Sequence, residues 1–232
     1  MNVRHELHQF LIDSAASSLY IRSRSRLRPL LPRSGNTSLT VDGFPRSGNT
    51  RAAAIVRATW PDRLLSSHLH SAAALRKSVR EGIPTVFLAR EPLMAISSFL
   101  QFHNGLTADQ ALRQYEKIYG TATELADKIF ISPFEVTTGD AYSWATSIAA
   151  FSCLRVPESQ QASLHDAISE SSIRHDIEEM ALKTPWGLTE QTVSRPSEAR
   201  RLGAESAKRA IRARGRQLHR CQELYDSLVP SS

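Results

Sequence analysis

The residues best suited to chemistry stand in one short run, Gly43-Phe-Pro-Arg-Ser-Gly-Asn-Thr50. Gly43 and Gly48 give it the G-x-x-x-x-G frame of a phosphate-binding loop. Ser38–Phe44 (SLTVDGF), which leads into it, is β-prone. Thr50–Trp60 (TRAAAIVRATW), which follows, is Ala-rich and reads as a helix stopped by Pro61. A strand feeding a tight turn and then a helix start points backbone N–H groups outward. The helix dipole adds partial positive charge there, so the junction suits an anion. Gly43 permits the turn, and Gly48 lets the backbone approach a ligand. A loop that hydrolyses ATP or GTP carries Lys after its second glycine. Here that position is Asn49, and the cation is Arg46, inside the loop. A Mg²⁺–nucleotide site also needs an acid at the end of a buried strand. The best candidate strand, Pro84–Ala89 (PTVFLA), runs instead into Arg90. A phosphate ligand without metal fits these residues better than Mg-ATP does.

The elements that must position these residues alternate. Strand-like runs at Ser38–Phe44, Arg63–Ser67, Pro84–Ala89 and Ile129–Ser132 are separated by helix-like runs. The helices read as Thr50–Trp60, Ser71–Gly82, Leu93–His103, and a segment from Thr107 to Lys128 opened by the capping-box spacing of Thr107 and Gln110. Such alternation predicts an α/β fold, a parallel sheet flanked by helices in three layers. From Ala141 onward the chain reads as helix and loop, with a last long helix over about Glu205–Leu228. The expected organisation is a basic N-terminal segment, 1–37, and one α/β domain, 38–232, helical from about 141. Pro-Arg-Ser-Gly-Asn-Thr occurs twice, at Pro32–Thr37 and Pro45–Thr50. Only the second copy lies between a strand and a helix.

Composition narrows the classes. With 232 residues, 41% hydrophobic and 22% charged, the chain is ordinary globular material and can bury a core. Its apolar runs stay below the ~18 residues of a membrane span. Phe10–Tyr20 is broken by Asp13 and serines, so it does not read as a secretory signal. Two cysteines, Cys153 and Cys221, make no disulfide framework. A cytoplasmic protein without membrane association is expected. The net charge is +6, and only five of 29 basic residues are lysines. Arginine is the better bidentate partner of phosphate. The basic residues crowd both ends, at Arg22, Arg24, Arg26, Arg28 and Arg33 and again over Arg195–Arg220. Solvated helix faces explain these ends more readily than nucleic acid does.

Phe44-Pro-Arg-Ser-Gly-Asn-Thr50 resembles the 5′-phosphosulfate loop of the sulfotransferases that use 3′-phosphoadenosine 5′-phosphosulfate (PAPS). Arg46 takes the place of that loop's cation, and Asn49 replaces its first Thr. The family's second signature is a strand ending in Arg with a Ser eight residues on. Arg90-Glu91-Pro92 leading to Ser98 matches it, with Ser97 as the substitute if the helix phase differs. The resemblance spans roughly residues 38 to 140. It implies a P-loop NTPase-like fold, to which the residues from about 141 onward add the helical C-terminal part read above. It further implies PAPS as co-substrate without a metal, and a small-molecule or carbohydrate acceptor. It gives Arg46, Ser47, Gly48, Asn49 and Thr50 to the 5′ end of the cofactor, and Arg90 and Ser98 to its 3′-phosphate. Ser66-Ser-His-Leu69 stands where the family often carries a catalytic His, so His68 is the candidate base, with His70 as rival. Arg46 would stabilise charge on the departing phosphate. Phe134-Glu135 stands for a Tyr-Glu pair near the adenine. Arg195, Arg200 and Arg201 are candidates for a closing C-terminal segment, and Trp186 for the acceptor pocket. A P-loop kinase with an atypical loop, or a non-enzymatic polyanion or nucleic-acid binder, are the alternatives.

Overall fold

In the computed structural model, which describes residues 35–103, 105–155 and 198–230, the four strand-like runs form one parallel sheet. Its strands are β1 (Leu39–Gly43), β2 (Leu65–Ser67), β3 (Thr85–Ala89) and β4 (Phe130–Pro133), in the order β2-β1-β3-β4. The register sets Leu39 beside Leu65, Val41 beside Val86, Gly43 beside Leu88 and Ala89 beside Pro133. The two central strands, β1 and β3, are buried along their whole length, as expected where helices cover both faces.

Eight helices complete the described residues: α1 (Asn49–Thr59), α2 (Ala72–Arg80), α3 (Pro92–Phe102), α4 (Ala108–Glu124), α5 (Phe134–Thr138), α6 (Ala141–Ser152), α7 (Glu198–Arg212) and α8 (Gly215–Leu228). Successive strand side chains point to opposite faces. Val41, Val86 and Leu88 pack with Ile55 of α1 and Trp144 and Ile148 of α6. Phe87 and Ala89 pack the other way, with Leu75 of α2, Phe99 of α3 and Leu112 and Tyr119 of α4. Outside that layer α7 lies on α3 and α8 on α4. The fold is therefore a three-layer α/β arrangement, P-loop NTPase-like in that a strand–loop–helix unit, β1–α1, sits at the middle of a parallel sheet. No helix among the described residues is long and apolar enough to cross a membrane.

Local chemistry explains the helix starts. Thr107 and Gln110 form the expected capping box, with Gln110 N donating to Thr107 Oγ1 at 3.2 Å and Thr107 N to Gln110 Oε1 at 3.1 Å. Ser71 caps α2 by accepting from Ala74 N. Glu91 caps α3, accepting from Leu93 N and Met94 N, with Pro92 in the first helical position.

Two expectations change. The single terminal helix over Glu205–Leu228 is two helices, broken at Ala213–Arg214. Arg214 leaves helical geometry at φ −105, ψ 46, and its guanidinium forks onto Asp109 at 3.3 and 3.1 Å. The break turns the chain from the surface of α3 to that of α4. In addition, α4 ends at Glu124 rather than Lys128, because Leu125–Lys128 winds into tighter turns such as Lys128 N to Leu125 O. Residues 1–34, Trp186 and Arg195 lie outside the described residues, and Arg200 and Arg201 fall on α7.

Candidate functional site

The loop between β1 and α1 is short because two of its residues take left-handed backbone angles, Arg46 at φ 72 and Gly48 at φ 88. The first is unusual for a side-chain-bearing residue and costs roughly 1–3 kcal/mol. The loop is closed at its base by Phe44 O, which accepts from Ser47 N at 3.2 Å and from Asn49 Nδ2 at 3.1 Å. Asn49 thus braces the loop with its amide group, while its Oδ1 is buried without a hydrogen bond. Ser47 Oγ is fully buried beside the Tyr119 hydroxyl. Helix α1 begins with no side-chain cap and no acid in its first turn, so its amide dipoles face the loop uncompensated. The start of α3 differs, since Glu91 already satisfies it.

The second junction, β3–α3, meets the first. Arg90 Nη1 donates to Arg46 O at 2.6 Å, and Arg46 Nε donates to Ser98 Oγ at 3.1 Å. Each guanidinium lies over an aromatic ring, Arg46 on Phe102 at 3.8 Å and Arg90 on Phe134 at 3.9 Å. Burial pulls the Arg90 pKa below its usual value, while Glu135, Glu91 and Tyr119 oppose that shift. Arginine stays protonated through such a change. Ser98 is half-buried and turned to Arg46, whereas Ser97 is buried and donates to Met94 O, so the helix phase presents Ser98. Phe134 opens α5 and also borders Gly48.

The two histidines lie beyond the end of β2 at Ser67, both with left-handed backbone, His68 at φ 62 and His70 at φ 50. The alternation of a strand therefore does not govern them. His68 Nε2 is 3.3 Å from Thr50 Oγ1, and its Nδ1 is 3.0 Å from Ser67 Oγ. His70 Nδ1 donates to Gly43 O at 2.8 Å and lies 3.3 Å from Asp42 Oδ1. Burial alone would lower the His70 pKa, but hydrogen bonding and charge from Asp42, with Gly43 O, outweigh it and raise it above 6.5. The buried Asp42 carboxylate accepts from Gly43 N at 2.9 Å, Leu69 N at 3.1 Å and His70 N at 2.9 Å.

The structure thus brings Arg46, Ser47, Gly48, Asn49, Thr50, His68, Arg90 and Ser98 around one pair of junctions. Sequence reasoning missed Asp42, whose signal was a single charge inside an otherwise uncharged β-prone run, Ser38–Phe44. It also missed Tyr115 and Tyr119, spaced one helical turn apart, whose hydroxyls reach the Arg90 backbone. Chemically, the arrangement offers two fixed cations, an uncapped helix start and a neighbouring imidazole.

No protein-family model matches the chain, and no curated protein matches it. Among solved structures, it is similar to mouse sulfotransferase SULT7A1 complexed with PAP, with a TM-score of 0.47 and 13% identity, over 82% of this chain and 89% of that one.

Proposed function

We propose that the chain is a cytoplasmic, metal-independent sulfotransferase that moves a sulfuryl group from PAPS to a hydroxyl or amine of a small-molecule or carbohydrate acceptor. The observation that carries this reading is the meeting of two arginine-bearing junctions, with Arg90 Nη1 on Arg46 O at 2.6 Å and Arg46 Nε on Ser98 Oγ at 3.1 Å. A nucleotide phosphorylated at both ends needs two cationic anchors within one molecule's reach. The donor set fits it, because two aromatic-backed guanidinium groups and an uncapped α1 start free of first-turn acids favour anionic oxygens.

When bound, PAPS supplies a sulfuryl group on a phosphate leaving group. In this reading Arg46, Ser47, Gly48, Asn49 and Thr50 hold the 5′ end. Asn49 acts through its backbone, since its side-chain amide is tied to Phe44 O. Arg90 and Ser98 hold the 3′-phosphate. Arg46 stabilises negative charge as it grows on the leaving oxygen. His68 accepts the acceptor's proton at Nε2, the atom now facing Thr50 Oγ1, while Ser67 Oγ holds Nδ1 and thereby the ring. The kinase alternative needs an acid free for Mg²⁺. Asp42 does stand near a strand end, but its oxygens already accept three backbone N–H groups.

Calorimetric titration with 3′-phosphoadenosine 5′-phosphate (PAP) in a metal chelator tests the reading, and saturable binding is expected. Arg90→Ala should weaken it by about tenfold or more, the loss of one charge-assisted contact. His68→Ala should leave PAP affinity unchanged and abolish turnover of PAPS with a competent acceptor. Tighter binding of Mg-ATP than of PAP would overturn the assignment.

A further inference from the structure

Two fully buried tyrosines face the backbone of Arg90. Tyr115 and Tyr119, one turn apart on α4, stack with ring centroids 3.8 Å apart and planes 10° from parallel. Both hydroxyls converge on one peptide, and that of Tyr119 also lies beside Ser47 Oγ. Tyr115 Oη donates to Arg90 O at 2.7 Å, and Tyr119 Oη donates to the same oxygen at 2.9 Å. Arg90 N donates to Tyr119 Oη at 2.6 Å. Both lone pairs of the Arg90 carbonyl and its one N–H are therefore satisfied by side chains. This happens where the ladder ends, because Ala89 is the last paired residue of β3 and its neighbour Pro133 has no N–H to extend the pairing. Phenylalanines would fill the same volume without two hydroxyls to desolvate. Burial also pushes both hydroxyl pKa values well up, so the groups stay protonated and able to donate.

We propose that Tyr115 and Tyr119 are positioning residues that fix the Arg90 peptide at the end of β3, so that its guanidinium is delivered to Arg46 O and the face of Phe134 in the geometry that grips the ligand's phosphate. The proposal rests on the reading of Arg90 as a PAP-binding group. Both tyrosines are fully buried, and their effect on the ligand runs through Arg90. The hydroxyls hold the peptide's orientation before the ligand arrives, so binding does not have to order it.

The test is a set of double-mutant cycles on the full chain, with PAP affinity read by calorimetry and thermal unfolding read in parallel. Tyr115→Phe removes one of two bonds to Arg90 O and should weaken PAP about threefold. Tyr119→Phe also leaves Arg90 N unpaired and should weaken PAP about tenfold. In the Arg90→Ala background Tyr115→Phe, which keeps the Tyr119 hydroxyl beside Ser47, should leave PAP affinity unaltered, although it still lowers the unfolding temperature. That vanishing of the effect is the signature of positioning, because a general structural role would persist. If Tyr119→Phe does not fold, Tyr115→Phe, which keeps the Tyr119 bonds, carries the cycle alone. Affinity within twofold of wild type in the tyrosine variants, with Arg90→Ala still damaging, overturns the proposal and leaves the sulfotransferase reading standing. Equal weakening in both backgrounds overturns it too. If Arg90→Ala itself leaves PAP affinity intact, the reading of Arg90 falls first, and the proposal with it.

Discussion

Asp42 ties the phosphate-type loop to the histidine turn. It accepts from Gly43 N on one side and from Leu69 N and His70 N on the other, and it lies 3.3 Å from His70 Nδ1. One side chain therefore sets how far His68 stands from Thr50. The same contact has a pH signature. Burial tends to lower the His70 pKa, but Asp42 prevails and the net shift is upward from 6.5. A histidine with a raised folded-state pKa contributes stability that is fully present below its unfolded value and is lost as pH rises through the folded one. The stability advantage of wild type over His70→Gln, measured by urea unfolding from about pH 5 to about pH 9, should thus shrink as pH climbs past the ordinary histidine value. An advantage that is flat, or that grows with pH, contradicts an Asp42–imidazolium pair. The neutral ring still donates from Nδ1 to Gly43 O, so part of the advantage should persist at the alkaline end. Asp42→Asn should remove the pH-dependent part.

Among the elements, β1 and β3 do the placing, because each ends in a junction that carries one of the two arginines. Their approach at the top of the sheet is close. A Cβ added at Gly43 would stand 2.4 Å from Leu88 O, a backbone atom with no room to yield. Gly43→Ala should therefore lower stability by about 2–3 kcal/mol, as overpacking does. It should also displace the Arg46 loop, so PAP affinity falls with the unfolding free energy. Gly120→Ala on α4, where an added Cβ meets nothing within 4 Å, is the control and should stabilise by about 0.5–1 kcal/mol. Urea titration of both variants checks the pair; a Gly43→Ala protein as stable as wild type would mean that β1 and β3 do not meet in this register. These strands and the helices between them were legible in the sequence because local signals decide them: apolar runs for the strands, Pro61 as a helix stop, the Thr107–Gln110 cap as a helix start. The two arginines were legible because their junctions could be counted off from the strands. What stayed hidden depends on distant partners. The turn of His68 and His70 out of strand geometry is held by Asp42, 26 and 28 residues earlier. The clamp on Arg90 needs α4 laid across the end of β3. The break at Arg214 coincides with its pairing to Asp109, 105 residues earlier on α4.

At the scale of the whole molecule, the C-terminal helices form the outer wall of the site. α8 packs on α4, the helix whose tyrosines hold Arg90, and Leu218, Leu224 and Tyr225 join the core that contains Tyr115 and Tyr119. Tyr225 comes near enough to Glu135 and Glu91, which flank Arg90, that they add to burial in raising its pKa. Three basic residues of this region pair with acids, two of them on α4. Arg214 pairs with Asp109 at 3.1 Å, Arg220 with Glu116 at 2.7 Å and Lys208 with Glu205 at 2.9 Å. The docking of α8 carries its own reporter. Cys221 is fully buried between α8 and α4, with Sγ 3.8 Å from Leu112 O, and burial together with Glu116 pushes its thiol up to about 12. Cys153, by contrast, is exposed at the end of α6. A thiolate-directed reagent should accordingly label Cys153 at once and Cys221 only as fast as α8 opens. In a Cys153→Ser background the remaining labelling rate measures that opening. If α8 supports the helix that holds Arg90, saturating PAP should slow Cys221 labelling, because a ligand that needs the docked state stabilises it. Labelling of Cys221 as rapid as that of Cys153 would show that α8 does not stay docked, and the C-terminal wall would then have no part in holding Arg90.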